Sequence, residues 1–396
     1  MRTRTHTVLL SLLVLALAAC GGGSGSQEGG SGPIVLGQIA SLTGNYTPLG
    51  TNDQKGAAQA VDEINAAGGV LGRQLQIMVR DDKTQPDQAV IAFNDLAGQD
   101  VAAVIGSPFS NSSLAVIPIA DRNQIPYVST AAADEQVEPV REYAFMTPPT
   151  AGAAAEQLLK YFQASGMTKM AVAYDTKSAF AKTGWTKQKQ MAARYGITFV
   201  AEETFETGTG NFSPVFTHVR DSGAQGLMVW ATGAPAVILT KQFATSGLKM
   251  PLVMSHAEGT PLYTQPAGPA AEGVIVAASL AVIGPRLPAS RQKDVVLAMA
   301  QPFQQKHGLY PPQFAFDGYG AVQLIAAAIK QAGTANPQDI QRALTNLTLL
   351  TPEGEYRYTP QDHAGLGVGD VAITVVRGGE FVPTDWSQQQ LATTLK

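Results

Sequence analysis

A single cysteine stands among 396 residues, so no intrachain disulfide can form and packing alone must stabilise the fold. Charge of one sign is also scarce. Lys and Arg number 27 against 31 acids, a net charge of −4, and no basic cluster builds the face that a nucleic-acid backbone requires. Beyond the first twenty residues, no apolar run is long and unbroken enough to cross a bilayer. Catalytic signatures are missing as well. The five histidines (His6, His218, His256, His307, His363) are scattered, without paired spacing for zinc. Neither a G-x-S-x-G elbow nor a Walker lysine loop occurs. The glycine-rich stretch 365–369 precedes a strand and reads as a β-turn. The stretch 68–72 follows a helix, which a dinucleotide site does not. Asp81-Asp82 is a lone acidic pair, more often a capping or solvated feature than a metal site. No catalytic residue, metal ligand or cofactor is therefore assigned, and the chain is expected not to be an enzyme.

What is present begins with a leader. Arg2 and Arg4 precede an apolar run at 8–19 that ends in the small residues Ala18 and Ala19 before Cys20. That order makes residues 1–19 a secretory signal, too short to span a membrane. Leu17-Ala18-Ala19-Cys20 looks like a bacterial lipobox, with Cys20 as the lipid-attachment residue. An ordinary cleaved signal with an incidental cysteine is the plainer alternative. Residues 20–32 supply a Gly/Ser tether, reaching roughly 20 Å as a flexible coil.

The remaining residues, about 360, suggest two domains. Apolar runs at 34–40, 75–79, 101–106 and 125–128 alternate with amphipathic stretches at 53–66, 86–99 and 110–122. A second set repeats the order: runs at 170–174, 197–201, 226–231 and 251–254, with helices at 184–194, 212–222 and 234–246 between them. Runs without polar alternation, each followed by a helix, predict parallel strands covered on both faces. The Pro-rich segment 146–150 separates the sets, which favours two similar lobes over one eight-stranded sheet. A strand at 274–280, helices at 290–307, 315–331 and 337–345 and a last strand at 371–376 carry the chain back between lobes. The expected fold is α/β, two Rossmann-like lobes with parallel sheets. Lobe 1 takes 33–147 and 282–348, lobe 2 takes 148–281 and 349–382, and 383–396 trails over the surface.

Ligands of open parallel sheets bind beyond the carboxyl ends of the strands. Ser110-Asn111-Ser112-Ser113 falls at such an end, where a helix begins. Ser and Asn are preferred N-caps, and the free N–H groups there favour an anion. A carboxylate held by the Ser110 hydroxyl and nearby amides needs no arginine, and the small residues Ala131, Ala132 and Ala133 allow close approach to the backbone. A plain N-cap explains the same residues without a ligand.

Several stretches together resemble the branched-chain amino acid (Leu/Ile/Val-type) family of ABC transporter substrate-binding proteins, which have the type I periplasmic binding protein fold. They are Leu36-Gly37-Gln38-Ile39-Ala40-Ser41-Leu42-Thr43-Gly44, the stretch GAAQAVDEINAAGGVLG at 56–72, Asp81-Asp82 before Pro86, Val104-Ile105-Gly106, and Asp317-Gly318-Tyr319. The resemblance covers essentially the whole mature chain. It implies two lobes joined by a three-crossover hinge, ligand capture by closure, and an ABC permease in the cytoplasmic membrane as partner. Together with the leader and the lipobox, the expectation is an extracytoplasmic, lipid-anchored monomer on a bacterium. Carried over by position, Ser110 and 131–133 hold the carboxylate of an amino acid or organic acid, Leu49 contributes from lobe 1, and Phe180, Gly233, His256 and Glu258 contribute from lobe 2. Asn111, beside Ser110 in the serine cluster, joins the expected site, and Tyr46 offers a further polar contact, for which ordinary turn chemistry is the plainer reading. Amino-acid binders of the family place hydroxylated aromatics near Leu49, Phe180 and Gly233 and an acid near Ala151, so this chain departs at all four. Glu258 remains as the counter-charge for an ammonium. A carboxylate without an ammonium, such as an aromatic acid, is the alternative, as is a ligand-sensing receptor of the same fold.

Overall fold

The computed structural model describes residues 32–395, so the leader, Cys20 and most of the tether lie outside the described residues. In lobe 1, β1 (Ile34–Ala40), β2 (Leu75–Asp81), β3 (Ala103–Ile105), β4 (Tyr127–Ser129) and β5 (Ala144–Met146) alternate with α1 (Thr47–Ala66), α2 (Pro86–Ala97) and α3 (Ser110–Asn123). The sheet order is β2-β1-β3-β4-β5 and every pairing is parallel. All of β3, β4 and β5 is buried, the consequence of apolar strands covered by helices on both faces. Helix α1 begins six residues before the expected start, because Pro48 suits a first turn and Thr47 closes it by donating its hydroxyl to Gly44 O at 2.8 Å.

The second lobe opens with α4 (Ala151–Ala164), which the Pro-rich break at 146–150 conceals in the sequence. Thr150 caps it, accepting from Ala153 N at 3.0 Å. Then follow β6 (Lys169–Asp175), α5 (Ala179–Met191), β7 (Thr198–Phe205), α6 (Ser213–Asp221), β8 (Gly226–Trp230), α7 (Ala234–Thr245), β9 (Leu252–Met254), α8 (Pro261–Ala267) and β10 (Ile275–Ser279).

The chain re-enters lobe 1 through 280–286. It continues as α9 (Arg291–His307), α10 (Gln313–Ala332) and α11 (Pro337–Leu344), then forms a hairpin of β11 (Thr348–Thr351) and β12 (Gly354–Arg357). It returns to lobe 2 as β13 (Val371–Arg377), β14 (Glu380–Pro383) and α12 (Asp385–Thr394), giving a sheet of order β14-β13-β10-β9-β8-β6-β7. Its two last-added strands are antiparallel. The expected trailing tail at 383–396 is therefore corrected: Thr384 caps α12, and Ser387 and Leu391 are buried against the sheet.

Three crossovers join the lobes, and the hairpin braces them. Tyr358 Oη donates to Met146 O at 2.5 Å and Tyr356 Oη donates to Thr147 O, tying β12 to the first crossover. Helix α10 is fixed to α1 by backbone contact. A methyl group on Gly56 would stand 1.8 Å from Ala315 O, and one on Gly318 2.2 Å from Asp53 O. Only glycine permits that approach. Among the described residues, no helix is long and apolar enough to cross a membrane.

Candidate functional site

The carboxyl ends of the strands in both lobes face one cleft. A cavity of about 30 Å³ lies there, lined by Tyr46, Leu49, Phe109, Ser110, Thr130, Ala131, Ala132, Ser178, Phe180, Thr232, His256, Gln313, Phe314 and Asp317, among others. That volume holds only a few waters, at ~10–15 Å³ each, so the lobes stand closed on each other. Asn111 clasps them: its Nδ2 donates to Lys177 O at 3.0 Å and its Oδ1 accepts from Ala179 N at 2.9 Å. Thr183 Oγ1 donates to Glu135, and Gly152 N donates to Asp134 Oδ2 at 2.9 Å.

At the first turn of α3 the N-cap is Phe109, not Ser110. Its backbone is extended and no side chain caps the helix. The turn's N–H groups are thus left to an outside acceptor. Ser110 is buried, lines the cavity, and among the described residues makes no side-chain hydrogen bond. Thr130 Oγ1 is occupied by Gly106 O at 3.0 Å, and Ala131 N by Ser129 Oγ at 3.1 Å. Ala132 N has no protein acceptor among the described residues.

The flanks are apolar. Tyr46 packs on Phe109 with ring centres 5.0 Å apart, and Phe180 meets Trp230 and His256 edge-on at 5.6 and 5.2 Å. His256 is buried with neither ring nitrogen in hydrogen-bonding geometry. Burial pulls its imidazole down to about 4, the nearby Pro149 carbonyl only partly opposing, so it is neutral at pH 7.

Of the residues expected from sequence, Ser110, Ala131, Ala132, Leu49, Tyr46, Phe180 and His256 are brought together around the cavity. Four others are not in its wall. Asn111 is the interlobe clasp. Ala133 carries a carbonyl that accepts Gln136 Nε2 at 2.9 Å. Gly233 precedes α7 with φ +73°, where a methyl group would come 3.6 Å from Tyr46 Cε1. Glu258 lies behind the wall, its Oε2 accepting from Ser255 Oγ at 2.7 Å. Burial pushes Glu258 up to about 8, against the pull of the Ser255 hydroxyl and the Gly233 amide, so it is largely uncharged at pH 7. Cys20 lies outside the described residues.

Sequence reasoning missed the α10 wall, comprising Gln313, Phe314 and Asp317. The signal was there: Asp317 interrupts the otherwise apolar Phe314-Ala315-Phe316, and an acid on a buried face requires a partner.

The two-lobe fold, closed on a small recess at the strand ends, has the architecture of a binding protein. The chain belongs to the periplasmic binding protein family, whose model matches residues 33–380. It is 25% identical over 365 residues, 92% of each chain, to the leucine-, isoleucine-, valine-, threonine- and alanine-binding protein of Pseudomonas aeruginosa. Among solved structures it is similar to a branched-chain amino acid transporter substrate-binding protein of Streptococcus pneumoniae in complex with isoleucine. That likeness has TM-score 0.77 and 24% identity, covering 89% of this chain and 100% of that one. It is similar too to an ABC transporter solute-binding protein of Rhodopseudomonas palustris in complex with benzoate. There the TM-score is 0.78 and the identity 19%, covering 89% of this chain and 95% of that one.

Proposed function

We propose that the protein is the extracytoplasmic receptor of an ABC importer, a lipid-anchored monomer that closes its two lobes around a small carboxylate-bearing ligand. The carrying observation is the uncapped first turn of α3, where the free Ser110 hydroxyl and the unoccupied Ala132 N–H face the cleft. Helix-end amides and one hydroxyl suit a carboxylate without a cationic side chain. Relatives named for amino-acid binding support an amino acid as ligand. The permease then reads the closed shape, and Cys20 carries the anchor.

A second reading, an aromatic or aliphatic acid without an ammonium, is favoured by the apolar flank of Leu49, Phe109, Phe180 and Phe314 and by the benzoate-bound neighbour. A thermal-shift screen of the protein without its anchor tests both. Stabilisation by amino acids supports the first reading, and stabilisation by acids alone supports the second. A flat response to both classes overturns the carboxylate receptor. A sensor of the same fold would bind the same ligands yet fail to support their uptake by a permease.

A further inference from the structure

We propose that Gln313 and Asp317, one turn apart on α10, form the subsite that takes a cationic amino group of the ligand, separate from the carboxylate end at Ser110. The inference rests on the receptor reading above and deepens it. Both side chains line the cavity, at 3% and 0% exposure, and neither Gln313 Oε1 nor either oxygen of Asp317 has a hydrogen-bonding partner. Buried polar oxygens left without partners are costly in a folded protein. An ammonium brings three N–H donors and a charge. The helix needs neither residue for packing, since Phe314, Phe316 and Ala315 supply its apolar contacts.

What surrounds Asp317 makes a cation the fitting partner. Glu353, from the turn between β11 and β12, packs against it, and Asp53 of α1 adds a second acid. Tyr356 Oη of β12 lies 3.3 Å from Glu353 Oε2. His256, elsewhere in the cavity wall, is neutral. Among the described residues, no Lys or Arg forms a salt bridge with Asp317 or Glu353. Burial, then the neighbouring carboxyls, hold Asp317 well above the usual carboxylate range, and Glu353 is raised to about 8. The pair therefore retains protons at pH 7. When an ammonium arrives, its charge replaces that of a proton carried by Asp317 or Glu353, and that proton passes to the buffer. No covalent bond changes. Glu258, behind the wall and bonded to Ser255, is not required.

Calorimetry on the unaltered protein tests this at pH 7 in phosphate and in Tris, whose ionisation enthalpies differ. Leucine, alanine and phenylalanine are each paired with the acid lacking the amino group: 4-methylpentanoate, propanoate and 3-phenylpropanoate. The expected result is an amino acid whose binding enthalpy depends on the buffer, with release of up to about one proton, while its matched acid shows no such dependence. In Asp317→Asn the amino acid should lose about tenfold or more in affinity beyond any loss of the matched acid. The buffer dependence should disappear with it. Gln313→Met should show a smaller loss of the same kind. Buffer-independent binding of an amino acid overturns the proposal without any variant, as do equal losses of both members of a pair. Binding of acids alone overturns it and leaves the receptor standing. No binding by any pair overturns both readings.

Discussion

Asn111, on the first turn of α3, holds the backbone of Ala179, on the first turn of α5, through a 2.9 Å hydrogen bond across the cleft. The same amide reaches Lys177 O, so one side chain joins two helix starts in different lobes. Asn111→Ala should open the closed form and weaken whichever ligand binds by about 1–2 kcal/mol, two hydrogen bonds at a partly solvated site. A faster dissociation rate in stopped-flow fluorescence is the expected signature. An unchanged rate would show that the clasp does not hold the lobes together.

Ser110→Ala should weaken carboxylate ligands by about 1–2 kcal/mol, the worth of a hydrogen bond to a charged group. Calorimetry with an amino acid and with its matched acid should show similar losses, because both carry the carboxylate. Unaltered affinity would remove Ser110 from the site.

Gly233→Ala should destabilise the protein by about 1–3 kcal/mol. Its φ of +73° with ψ −133° is glycine territory, whereas the added methyl would meet Tyr46 at an ordinary 3.6 Å. The cost is therefore in the backbone. A companion Tyr46→Ala change should not restore the melting temperature, and full restoration would assign the cost to the ring instead.

Stability should fall with rising pH through Glu258. Its carboxyl is raised in the fold to about 8 from an ordinary 4.5, so the folded state binds more protons than the unfolded one between those values. Its contribution is complete below pH 4.5 and is lost as pH rises to about 8, on the order of 5 kcal/mol in all. Glu353 and Asp317 slope the same way. Glu258→Gln should flatten the denaturant-derived profile relative to the unaltered protein over that window. Parallel profiles would show that Glu258 does not titrate there.

Mass spectrometry of the membrane-derived protein should find an acylated Cys20 at the mature N-terminus. Cys20→Ser should release the protein into the soluble fraction.

The apolar runs made much of the architecture legible. The first, at 34–40, coincides with β1, because a strand buried on both faces must be apolar throughout. Elements governed by capping were harder to see. Helix α4 depends on Thr150 at the end of a Pro-rich segment, and α12 on Thr384 after a short edge strand, so turn chemistry masked both starts. In the cavity, residues at strand ends follow from the topology, which is why the wall positions of Ser110, Ala131 and His256 are legible in the sequence. Gln313 and Asp317 come from a helix of the return segment, whose approach to the cleft depends on tertiary packing. Glu258 lies in a loop that the topology located, but the direction of its side chain, which turns back to Ser255, is set by packing that the sequence does not display.

The glycine contacts between α1 and α10 leave no slack for sliding, so Gln313 and Asp317 travel with α3 and Ser110 as one body. Phe180 and His256 belong to the other body. When the cleft parts, Ser110, Gln313 and Asp317 stay assembled on one bank with Tyr46, Phe109 and Phe314, while Phe180 and His256 leave with the opposite one. In the receptor proposed above, a solute arriving from the medium would then meet a prepared berth, and the second lobe would act as a shutter whose position reports occupancy to the outside.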